Sequence, residues 1–180
     1  SPASLYAATK KSCELMSETY ARLYGLPQTG LRFFTVYGPW GRPDMAYWSF
    51  SQNILNDEPI TLFGDGVLSR DFTYIDDVAP AIARIVDQPP AIADGRPHEI
   101  YNLGNSTPTS VLELVEAIEN ALGKKAQRVM VPPQPGDVTV TFADISKAAA
   151  AFGYDPKTKI GEGIPRFTEW FKAEGHKYAR

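Results

Sequence analysis

The chain holds one pair of residues whose types and spacing suit proton transfer. Tyr6 stands four positions ahead of Lys10 in SLYAATKKSCELM, residues 4–16. Positions i and i+4 share a helix face, so a phenol and an ammonium there point toward one spot. A free phenol titrates near ~10 and is a poor base at neutral pH. A cation one helical turn away favours the phenolate and makes it a better one. Such a tyrosine could take a proton from a substrate hydroxyl. The same spacing is common on solvated helices, and on spacing alone both readings stand. Other reactive residues are few. Cys13 is the single cysteine, so no internal disulfide forms, and it reads as a small packed side chain in a reducing compartment. His98 and His176 are far apart, and no metal-ligand cluster is expected; His98 reads as an exposed residue ahead of a strand.

The elements that must hold this pair can be read from periodicity. Leu5, Ala8, Leu15, Met16, Thr19, Tyr20 and Leu23 recur at helical spacing, with Ser4 as a cap and Gly25 then Pro27 as a stop. Residues 29–37, TGLRFFTVY, predict one strand, apolar on both faces like a buried parallel strand. A Gly/Pro loop, GPWGRPDM, covers 38–45, and a short helix is expected over 47–56. Strands follow over 60–63 and 69–75, separated by the turn Gly64-Asp65-Gly66. Asp76 is expected to cap a helix to about Asp87, with Val78, Ile82, Ile85 and Val86 inward; the pair Asp76-Asp77 then needs no catalytic role. After a loop over 88–97, a strand covers 99–103. Ser110 and Glu113 form a capping box for a helix that stops at Gly123. A strand over 127–131, an Ala-rich helix capped by Asp144 and an amphipathic helix over about 161–174 complete the chain. Helices and short strands alternate throughout, which is an α/β class with mixed sheets. G-x-G-x-x-G does not occur, so the loop that binds a dinucleotide pyrophosphate is not in this sequence.

Composition narrows the partners. Hydrophobic residues make up 43% of 180, enough for a core, and the net charge is −3 with no basic run, which argues against nucleic acid. No apolar run approaches the ~20 residues that span a bilayer. With no signal-peptide pattern, a cytoplasmic location is expected.

Five segments change the weight given to Tyr6 and Lys10. YAATKKSCELM, GLRFFTVYGPWGRPDM, GDGVLSRDFTYIDDVA, YNLGN, and QPGDV with FADISKA occur in this order. In that order they resemble the extended short-chain dehydrogenase/reductase family, the NAD-dependent epimerases and dehydratases. Within it the likeness is to UDP-glucuronate 4-epimerases, which interconvert UDP-glucuronate and UDP-galacturonate. The resemblance covers essentially the whole chain and implies that it corresponds to the C-terminal half of such an enzyme. The fold implied is the C-terminal part of a Rossmann-type parallel sheet plus a small mixed α/β substrate-binding domain. Residues 1–40 would be the remnant of the dinucleotide-binding domain. Residues 41–180 would be mainly the UDP-sugar domain, with 69–103 partly returning to the Rossmann sheet.

The resemblance also implies roles. Tyr6 matches the catalytic base and Lys10 its partner, which also holds the nicotinamide ribose of NAD; Phe34 would touch the nicotinamide or pack the core. Thr35 lies where UDP-galactose 4-epimerases usually carry Asn beside the substrate phosphate, a departure that favours the uronate enzymes. Arg42 matches the arginine that binds the sugar carboxylate, and a planar guanidinium suits that task. Arg70 matches the arginine on the UDP pyrophosphate, with Asp71 orienting it or capping a turn. Thr61 and Phe63 match the strand beside uracil, and Asp137 the acceptor for the uridine ribose. Gln134 stands where galactose-type enzymes carry Arg. Asn102 and Gly104 read as structural. Trp40 and Trp48 shape the pocket or pack a core or interface, and the stripe Met16, Tyr20, Leu23 is core or part of a homodimer interface. The implied activity is NAD-dependent 4-epimerisation of a UDP-sugar through a 4-keto intermediate. UDP-glucuronate decarboxylases and other nucleotide-sugar epimerases or dehydratases would share these half-sites. A reading of another class is a truncated, non-catalytic UDP-sugar-binding chain.

Overall fold

In a computed structural model, which describes residues 2, 4–91, 97–133 and 138–178, the N-terminal pattern folds as helix α1 (Leu5–Tyr24). Ser4 is extended at the N-cap and its hydroxyl accepts from the Ala7 N–H at 3.1 Å. Gly25 ends the helix in the left-handed region at φ 61°. The strand expected over 29–37 is two strands, β1 (Gln28–Phe33) and β2 (Thr35–Tyr37). Between them the Val36 N–H donates to the Phe34 carbonyl at 2.8 Å, a γ-turn bond that kinks the chain. The kink lets the two halves take different partners. β1 pairs in parallel with β5 (His98–Leu103), and β2 in parallel with β4 (Ser69–Tyr74).

β1 is not buried on both faces as its composition suggests: Phe33 is 51% exposed. α1 packs against β1 and β5, but the other edge of β1 has no strand beside it among the described residues. Only Ala21 of α1 is buried, and Met16, Tyr20 and Leu23 are all more than half exposed, so the stripe is not core. Cys13 on the same helix is exposed too, not packed. What docks α1 is a polar latch. Arg32 of β1 grips Glu14 with Nε and Nη2, the second bond at 2.8 Å, and the Gln28 amide donates to the Ser17 carbonyl at 3.0 Å.

The remaining elements are α2 (Ala46–Leu55), β3 (Ile60–Phe63), α3 (Ile75–Val86), β6 (Pro108–Ser110), α4 (Val111–Leu122), β7 (Arg128–Val131), α5 (Ser146–Phe152) and α6 (Ile160–Ala173). Strand β4 is central to a sheet ordered β2-β4-β6, with β6 antiparallel, and β3 pairs in parallel with β7. β6, three residues beginning with a proline, is too short and too poor in β-formers to stand out in sequence. The capping box at Ser110 and Glu113 forms as expected. Asp76 does not cap α3: Tyr74 is the N-cap residue, and Asp76 and Asp77 sit in the first turn, where Asp77 accepts from the Thr158 N–H at 3.0 Å. Ala81 takes the inward place, and Val86 points to solvent. His98 is half-buried within β5, not exposed ahead of it.

Two apolar clusters hold these elements. The larger joins α2, β3, α4 and α6, with rings meeting edge to face: Tyr47 on Phe167 at 4.8 Å and Trp48 on Phe171 at 5.2 Å. Trp48 is therefore core. The smaller packs α3, β5 and α5 through Val78, Ala81, Ile85, Leu103 and Ala148.

Candidate active site

The larger cluster supports a cleft of about 510 Å³ where strand ends converge. Thr35 enters from β2, Thr61 and Phe63 from β3, and Arg70 from β4; Asp44, Met45, Tyr47 and Phe50 line the opposite side. Four residues singled out in sequence thus meet in one place, because β2 and β4 are adjacent strands and β3 packs on the same core. Arg70 reaches from its strand to donate from Nη1 to the Val138 carbonyl at 2.6 Å. Asp137 and Gln134 lie outside the described residues.

Asp71, next to Arg70, caps a turn. It is fully buried and accepts from the N–H groups of Asn105 (2.7 Å), Ser106 (3.0 Å) and Ala143 (2.8 Å). A side chain at Gly104 would come within 2.7 Å of this carboxylate, so only glycine fits there. The Asn102 amide donates to the Asp144 carbonyl at 3.0 Å, which ties β5 to the segment before α5.

The loop between β2 and α2 builds the mouth of the cleft. Arg42 to Met45 forms a β-turn, with the Met45 N–H donating to the Arg42 carbonyl at 3.2 Å and Pro43 at its second position. The turn folds the Asp44 carboxylate back onto Arg42, which donates from Nε at 3.0 Å and from Nη2 at 2.6 Å. The hydrogen bonds and charge of Asp44 raise the guanidinium above its ordinary value, and the phenols of Tyr6 and Tyr47 act in the same direction. Arg42 in turn holds the Asp44 carboxyl below its own. Tyr47 is buried under this loop, and burial pushes its phenol up to about 12. A Cβ on Gly41 would stand 1.7 Å from the Tyr47 hydroxyl, so the residue before Arg42 must be glycine. Trp40, in the left-handed region at φ 62°, stays exposed and packs on Trp170 and Tyr178, both at 5.3 Å.

Tyr6 is 70% exposed on the first turns of α1, and the Lys10 ammonium lies 5.6 Å from its ring centroid. The two groups share an open face. Phe34, half-buried at the kink, directly precedes Thr35. Asp44 and Tyr47 were not singled out in sequence. For Asp44 the signal is there: Arg-Pro-Asp, with proline second, is a turn signature that brings the two charges together. Among the described residues no group of His, Cys, Asp and Glu could hold a metal ion, and no helix is long and apolar enough to cross a membrane.

The NAD dependent epimerase/dehydratase family model matches residues 1–104. UDP-glucuronate 4-epimerase 1 of Arabidopsis thaliana is 48% identical over 181 residues, covering 94% of this chain and 42% of that protein. Protein CapI of Staphylococcus aureus is 47% identical, covering 94% and 54%. The crystal structure of the Bacillus cereus UDP-glucuronic acid 4-epimerase, in complex with UDP-glucuronic acid and NAD, superposes with a TM-score of 0.87 at 35% identity, covering 96% of this chain and 54% of that one. The chain spans about half the length of the curated relatives it matches.

Proposed function

This chain belongs to the NAD dependent epimerase/dehydratase family, and from that premise we propose that it carries the sugar-nucleotide half of a UDP-glucuronate 4-epimerase site. The observation that carries this reading is the meeting of Thr35, Thr61, Phe63 and Arg70 in one cleft that Asp44, the ion-pair partner of Arg42, also lines. A nucleoside diphosphate needs a cation, which Arg70 supplies. Thr61 and Phe63 flank the uracil, Thr35 stands beside the phosphate, and Asp137 accepts from the uridine ribose. Arg42 forks onto the sugar C6 carboxylate.

Tyr6 and Lys10 offer a hydroxyl and an ammonium on one open helix face, groups that suit the nicotinamide ribose of NAD, with Phe34 near the ring. The sequence has no G-x-G-x-x-G for the dinucleotide pyrophosphate, so its own residues fit only that end of the cofactor. NAD, held at its nicotinamide ribose by Tyr6 and Lys10, would supply the hydride acceptor for sugar C4 and the donor that restores the hydrogen on the other face. Tyr6 takes the proton of the C4 hydroxyl and later gives it back. The 4-keto sugar turns over in the pocket while Arg70 keeps the UDP anchored. Residues 1–40 act as part of the dinucleotide-binding domain, 41–180 mainly as the UDP-sugar domain, and 69–103 partly as sheet. The exposed stripe of α1 suits a homodimer contact. Without the pyrophosphate loop, the 180-residue chain binds the sugar nucleotide and does not turn it over.

Product analysis tests the reading. The chain, preceded by the dinucleotide-binding half of a relative and given NAD and UDP-glucuronate, is expected to yield UDP-galacturonate. A UDP-pentose with carbon dioxide would assign decarboxylation instead.

A further inference from the structure

Arg42 already holds a carboxylate, and it belongs to the same chain. The turn Arg42-Pro43-Asp44-Met45 is closed by its own backbone hydrogen bond and delivers both Asp44 oxygens to Nε and Nη2 of Arg42. Those two donors form the edge a guanidinium offers to a ligand carboxylate in a fork. Asp44 also lines the cleft. Two carboxylates cannot share one such edge, because like charges a few ångströms apart repel. The pair is solvated, with Arg42 75% and Asp44 66% exposed, so it is a weak tie that a ligand can displace.

We infer that Asp44 is an internal stand-in for the substrate carboxylate, a specificity residue that occupies Arg42 until an acidic sugar displaces it. The inference rests on the reading of Arg42 as the partner of that carboxylate. A sugar bearing a carboxylate replaces Asp44 on the fork, and the released Asp44 carboxylate, being exposed, is taken up by solvent. A neutral sugar cannot, and the arginine stays closed on Asp44. Asp44 lowers the affinity for the acidic sugar while keeping Arg42 neutralised and aimed between ligands.

Calorimetric titration of the 180-residue chain with UDP-glucuronate and with UDP-glucose tests this, using D44N and R42Q. Because Asp44 is exposed, D44N is expected to leave the melting temperature unchanged. It should bind UDP-glucuronate about two- to fivefold tighter, the range an exposed ion pair contributes, and UDP-glucose as before. The unaltered chain should prefer UDP-glucuronate, and R42Q should lose that preference. If R42Q loses the preference while D44N binds UDP-glucuronate equally or more weakly, or tightens on both compounds alike, Asp44 is not a competitor and the inference fails alone. If R42Q keeps the preference, or the unaltered chain binds neither compound, the reading of Arg42 fails and takes the inference with it.

Discussion

Glu14 of α1 and Arg32 of β1 close on each other in a two-pronged ion pair, each carboxylate oxygen taking one guanidinium nitrogen. This pair stands where an apolar contact would be expected, since α1 buries almost none of its own surface. The Arg32 hydrogen bonds, with help from Lys11 and against partial burial, hold the Glu14 carboxyl at about 2. Its folded value lies below the ordinary 4.5, so its contribution is complete above about 4.5 and fades as pH falls toward 2. Glu14→Gln should therefore cost about 1–2 kcal/mol at pH 7. That lowers the melting temperature by about 2–8 °C. The gap between variant and parent should narrow steadily between pH 4.5 and 2. Thermal melts across that range check this; an equal penalty at every pH would mean that the latch is not ionic.

Asp71 makes a second kind of prediction. Its carboxylate serves three backbone N–H groups from two separate segments. An asparagine has one acceptor oxygen and would turn an NH₂ toward donors. Asp71→Asn should cost about 3 kcal/mol or more, since a buried donor left without a partner bears its full desolvation penalty. Urea denaturation measures this directly, and an unchanged midpoint would show that the turn at Gly104 does not depend on the charge.

The loop before Arg42 is packed as tightly. A methyl group at Gly41 overlaps the hydroxyl of Tyr47, and Tyr47 is buried among Tyr37 and Phe167 and has little room to yield. Gly41→Ala should push the loop outward and shift Arg42 from the cleft mouth. The expected result is a loss of affinity for UDP-glucuronate of about tenfold, the scale of one charge-assisted hydrogen bond, with UDP itself bound as before. Parallel titrations with UDP and UDP-glucuronate separate the two effects; equal losses would point to general unfolding.

Much of this was legible in the sequence. The periodicity of residues 5–24, the capping box at Ser110 and Glu113, and the glycine stop signals report local chemistry, and they fold as read. Where the sequence misleads, the deciding partner is remote. TGLRFFTVY is uniformly strand-like, but β5 and β4 claim its two halves, and nothing local marks the kink at Phe34. Composition suggests burial for Phe33 and Cys13, and a core or interface place for the stripe on α1, whereas exposure within the chain is decided by what packs against each of them. Asp76 has the chemistry of a cap, but the extended backbone at Tyr74 starts the helix earlier. At the site, Thr35, Thr61, Phe63 and Arg70 were found through a family pattern, and no spacing rule would have joined them. The Arg42–Asp44 pair needed only the turn signature between them.

The central claim is that Tyr6 moves the proton while the cleft around Arg70 holds the nucleotide. The most direct measurement is Tyr6→Phe in the chain preceded by a relative's dinucleotide-binding half, assayed for epimerisation of UDP-glucuronate and, in parallel, for UDP binding. Turnover should fall to background with UDP affinity unchanged, because the phenol hydroxyl is the group removed and the contacts proposed for UDP lie elsewhere. A phenylalanine variant that still epimerises would contradict the account at its centre.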